Sequence, residues 1–98
     1  MGGAAVLEEK YAKQIALIID SAEPGMIISL NMEDAIKTAE KEGVTPNNII
    51  IIRDNVVTVK LREKEGDPLS SYSFFNDVSV NAYIGQDNKN YFFVINKK

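Results

Sequence analysis

Apolar residues return at three- and four-residue steps through the first twenty positions. Val6, Leu7, Tyr11, Ile15, Ile18 and Ile19 fall on one side, and Glu8, Glu9, Lys10, Lys13 and Gln14 on the other. The spacing predicts a helix over 4–20, ended by the turn pair Pro24-Gly25. The run 26–30 is apolar and short, which predicts a strand. A second helix follows over 32–42. Ile36 and Ala39, with Met32 and Ala35 beside them, form its buried stripe, Asn31 is its expected N-cap, and Asp34 completes a capping box. Gly43 and then Pro46 end it.

The period then falls to two. Ile49-Ile50-Ile51-Ile52 and Val56-Val57-Thr58-Val59-Lys60-Leu61 flank Asp54-Asn55, a pair suited to a two-residue type I′ turn. With that tip, Ile52 faces Val57 and Ile50 faces Val59 on one side; Ile51 faces Thr58 and Ile49 faces Lys60 on the other. A charged and serine-rich loop is expected over 63–73. Val78, Val80, Ala82 and Ile84 then alternate with polar residues, as do Tyr91, Phe93 and Ile95 with Phe92, Val94 and Asn96. A tip at Asp87-Asn88, or a four-residue loop from Gln86 to Lys89, pairs Ile84 with Tyr91 and Ala82 with Phe93. The expected order is α-β-α-β-β-β-β. This is an α+β fold: an antiparallel sheet of four or five strands with two helices mainly on one face. Residues 1–3 read as a flexible leader and 4–98 as a single domain.

Composition narrows what such a domain does. Ninety-eight residues suit one domain, and 45% apolar content suits a folded one. A formal charge of −3 gives no overall pull toward phosphate backbones or anionic lipid. The apolar stretches are far shorter than the roughly 20 residues of a membrane helix. No basic-then-apolar leader opens the chain. A cytoplasmic protein is expected.

The chain has no histidine, no cysteine and no tryptophan. Thiol chemistry, a histidine general base and zinc sites of His and Cys are therefore ruled out. Glu33-Asp34 suits the positive end of a helix dipole. Asp54-Asn55 and Asp87-Asn88-Lys89-Asn90 suit turns and lack the EF-hand spacing. The glycines form no phosphate loop. No catalytic residue, cofactor or metal is expected, and the chain reads as a non-enzyme.

Ala39, Gly43, Val44, Thr45-Pro46 and Ile49 match in kind and spacing the centre of a helix-turn-helix, and the segment 35–54 resembles that family. The resemblance implies a DNA-binding regulator with Thr45, Asn47, Asn48 and Arg53 at the duplex. Read on their own, the same residues give a helix, a glycine stop and a Thr-Pro turn into a strand.

The strands also carry an excess of apolar residues. With Ile50, Ile52, Val57 and Val59 under the helices, Ile49, Ile51 and Val56 face the other way. Tyr83, Phe92 and Val94 do the same if the hairpins share one sheet. An antiparallel sheet with one wet face should be polar there. Three covers are open: the 63–73 loop, folding back with Leu69, Tyr72 and Phe74; another protein or a second copy; or a small molecule held between sheet and helices. The expected function is a small acidic binding domain. It acts by protein–protein contact or self-association through Ile49, Ile51, Val56, Tyr83, Phe92 and Val94.

Overall fold

The computed structural model describes residues 3–63 and 70–98. Its elements are α1 (Gly3–Asp20), β1 (Ile27–Asn31), α2 (Glu33–Lys41), a 3-10 turn (Pro46–Asn48), β2 (Ile50–Arg53), β3 (Val56–Val59), β4 (Ser70–Ser73), β5 (Val78–Ile84) and β6 (Asn90–Lys97). The fold is α+β, but the strands do not share one sheet. Among the described residues they form two antiparallel three-stranded sheets, ordered β1-β6-β5 and β2-β3-β4. Gly3, assigned to the leader, is the first residue of α1. No helix among the described residues is long and apolar enough to cross a membrane.

One core joins both helices and both sheets. Tyr11, Ala12, Ile15, Ala16 and Ile19 of α1 enter it, with Ile36 of α2, Val57 and Val59 of β3, and Tyr91, Phe93 and Ile95 of β6. The inward stripe of α1 starts with a charge. Glu8 is in phase with Tyr11, Ala12, Ile15 and Ile19 and is fully buried, while Val6 is exposed. Glu8, expected on the polar face, accepts the Leu61 N–H at 2.8 Å and the Arg62 Nη2 at 2.7 Å. Burial of a carboxylate is tolerable only with such partners.

The start of α2 differs from the expected capping box. Met32 is the N-cap, and Asn31 Oδ1 accepts the Glu33 N–H at 3.0 Å. The Asp34 carboxylate takes the Ala35 N–H at 2.8 Å and the Tyr11 hydroxyl at 2.5 Å, and so ties α2 to α1. The end of α2 is a Schellman motif. Gly43 has φ +86°, its N–H reaches Glu40 C=O at 3.2 Å, and the Val44 N–H reaches Ala39 C=O at 2.8 Å. The apolar contact of that motif follows, since Val44 and Ala39 are both buried.

Both hairpins adopt the expected registers. Asp54 and Asn55 have φ of 53° and 62°, the signature of a type I′ turn, and Ile52 pairs with Val57 and Ile50 with Val59. Ile84 pairs with Tyr91 and Ala82 with Phe93. The expected 63–73 loop holds a strand, β4, which pairs Tyr72 with Val57 and Ser71 with Thr58.

Candidate interaction surface

The faces of the first sheet follow from register. Ile28 and Leu30 of β1 lie opposite Phe93 and Tyr91 of β6 and pack against the core. The outer face alternates with them. There Ile27 lies opposite Val94, and Phe92 stands between Ser29 of β1 and Tyr83 of β5. The Tyr83 and Phe92 rings stack with centroids 5.8 Å apart and an interplanar angle of 28°. Tyr83 is 50% exposed and Ile27 65% exposed, and Phe92 and Val94 are half-buried. Gly85 lies against the edge of the Phe92 ring, where a Cβ would come within 2.7 Å of it. The ring thus stacks on a tyrosine face and meets a glycine backbone at its edge.

The six residues expected on one face separate into three groups. Tyr83, Phe92 and Val94 come together. Ile51 and Val56 lie on the outer face of the other sheet, beside a Thr58–Ser71 hydroxyl hydrogen bond of 2.7 Å. Ile49 is a correction. It closes the Pro46–Asn48 turn with φ −83° and ψ −18°, so it stands out of phase with the strand and is fully buried. Ile27 is the residue that sequence reasoning missed. Its signal was its alternation with Ile28 and Leu30, which leaves an isoleucine on the outward side of a short strand.

The loop does not cover this face with the residues expected to do so. Phe74 is buried, and Tyr72 stands on the helix side, where its hydroxyl donates to Glu9 of α1 at 3.1 Å. Leu69 lies outside the described residues. The recognition helix implied by the helix-turn-helix resemblance is also not formed. Thr45 is extended at ψ 130°, Asn47 and Asn48 belong to a single 3-10 turn, and Arg53 ends β2. The Schellman stop accounts for the motif: Gly43 reverses the chain, Val44 caps the stop, and Pro46 starts the turn that leads into β-branched residues.

Concavities among the described residues flank the sheets. A groove of about 450 Å³ lies between the C-terminal half of α1 and the start of β1, lined by Gln14, Leu17, Ile18, Ser21, Ala22, Met26 and Ile28. A smaller cavity of about 210 Å³ lies between the Asp54-Asn55 turn and β5, and Arg53 and Lys98 border it. Lys98 is answered there by Asp77 at 3.2 Å and by Asn55 Oδ1 at 3.3 Å. No group of three or more metal-ligating side chains occurs among the described residues. Asp87 is held below the usual carboxylate range by the Lys89 N–H and by both N–H groups of Asn90 that it accepts, which makes it a turn organiser.

Comparison with known protein families, characterised proteins and solved structures finds no significant match to this chain.

Proposed function

We propose that this protein is a small acidic, non-enzymatic binding module that engages another protein, or itself, through the outer face of the β1-β6-β5 sheet. Ile27, Tyr83, Phe92 and Val94 are its contact residues. The observation behind this reading is the exposed Tyr83–Phe92 stack, with the edge of the Phe92 ring against Gly85. Aromatic side chains held rigid on an open apolar face lose little freedom on binding, and such residues dominate protein interfaces. Their neighbours on this face, Ile27 and Val94, carry no charge to be desolvated.

The test starts with a partner recovered by cross-linking, identified, purified and titrated by calorimetry. Tyr83→Lys and Phe92→Lys should each weaken binding about 30-fold, the scale of losing about 2 kcal/mol at an interface centre. Lys37→Ala, on the surface of α2, should leave affinity unchanged. Equal affinity for all three variants, with unchanged circular dichroism, would refute this surface.

A further inference from the structure

The proposed contact surface adjoins an open strand edge. β1 has one hydrogen-bonded neighbour among the described residues, β6. The bonds at its two ends fix which backbone groups that neighbour uses. Ile95 N–H reaches Met26 C=O at 2.9 Å, and Met32 N–H reaches Lys89 C=O at 2.8 Å. Antiparallel ladders alternate, so Met26, Ile28, Leu30 and Met32 turn their backbone groups to β6. Ile27, Ser29 and Asn31 turn theirs to the open side.

Open edges are usually blunted by charge, proline or a bulge. Ile27-Ile28-Ser29-Leu30-Asn31 has no charge and no proline, and its register runs unbroken over all five residues. The other sheet has two edge strands, β2 and β4. β2 carries a charge, Arg53, at its end. β4 is Ser-Ser-Tyr-Ser, and its tyrosine is tied to α1 through Glu9.

We propose that β1 pairs antiparallel with β1 of a second copy across a two-fold axis, which joins two three-stranded sheets into one of six. This goes beyond the reading of the outer face as a contact surface, because it uses the edge beside that face and leaves the face itself open. The pairing that uses every open group is centred on Ser29. Ser29 then faces Ser29, Ile27 faces Asn31, and Ile28 faces Leu30. In a two-fold pairing the central residue meets itself, so a charge there would meet its own sign. The neutrality of β1 removes that penalty. On the helix side, Leu30 of the second copy lies beside Ile28, at the groove bordered by Leu17, Ile18 and Met26. On the outer side, the two Ile27–Val94–Phe92–Tyr83 patches become parts of one larger sheet face.

The experiment is light scattering over a concentration series, with the chain and two Ser29 variants. The chain should approach twice its 10.9 kDa mass as concentration rises. Ser29→Pro removes an N–H that has no partner among the described residues, and proline is tolerated at such an edge. Ser29→Lys sets like charges face to face on an exposed position. Each should raise the dissociation constant at least tenfold while keeping the circular dichroism spectrum. A monomer at every concentration overturns the pairing. So does a dimer indifferent to both Ser29 variants; if Tyr83→Lys disrupts that dimer, the face reading stands and the edge reading alone falls. Conversely, an edge dimer with partner binding unaffected by Tyr83→Lys and Phe92→Lys keeps this pairing and removes the face.

Discussion

Tyr91 is fully buried and donates its hydroxyl to Pro46 C=O at 2.6 Å, which pins the 3-10 turn to the central strand of the first sheet. Burial pushes that hydroxyl from 10.0 up to about 12. The neutral form is therefore favoured more in the folded chain than in the unfolded one. The resulting stability is complete below pH 10 and is lost as pH rises through about 12. Tyr11, raised by burial and by its bond to Asp34, adds in the same direction. Tyr91→Phe should cost about 1 kcal/mol near neutrality, and less as the alkaline limb is climbed. Urea unfolding at stepped pH reads both.

Glu8 and Arg62 give a second prediction at this scale. The Glu8 side chain is fully buried, whereas Arg62 keeps 25% of its side chain in solvent. Arg62→Ala removes the charge that balances a buried carboxylate, leaving it the Leu61 N–H, and should cost about 3–5 kcal/mol. Glu8→Met strands mainly the Leu61 N–H and should cost about 1–3 kcal/mol. The double variant should cost less than the sum, and the reverse ranking in chemical denaturation would contradict this account.

Elements formed where local chemistry and burial agree. The hairpins were readable because a period of two met turn residues that tolerate positive φ, and α1 because its stripe holds over five turns. Glu8 was misplaced because its charge outweighed its phase, although the phase is what the helix obeys. β4 was missed because Ser-Ser-Tyr-Ser has little strand preference of its own; pairing with β3 makes it a strand. Ile49 was misread because a 3-10 turn shifts the alternation by one residue, and one residue exchanges the faces. The stop of α2 can be tested directly. Gly43→Ala meets no atom of the described residues but must hold φ +86°, at a cost of about 1–2 kcal/mol. That lowers the melting temperature by about 4–8 °C per kcal/mol in a domain of this size. Gly43→Asn should lose less, because asparagine visits this region more readily.

At the scale of the whole molecule, the division into two sheets was not visible in the sequence. Each hairpin records its own register, but nothing local records which strand lies beyond it. The pairing of Ile27 with Val94 joins residues from opposite ends of the chain. That is also why the site was only partly read: Tyr83, Phe92 and Val94 emerged from their own hairpin, and Ile27 joined them only through β1. The place of β6 has a consequence for biosynthesis. The middle strand of the first sheet is made last, after both of its neighbours, β1 and β5. A nascent chain halted before Asn90 lacks the partner of both, and β1 is the more exposed, since its apolar run leaves the ribosome early and waits longest. Products that stop before β6 should therefore be insoluble or bound by chaperones, while a chain that includes β6 can close the sheet.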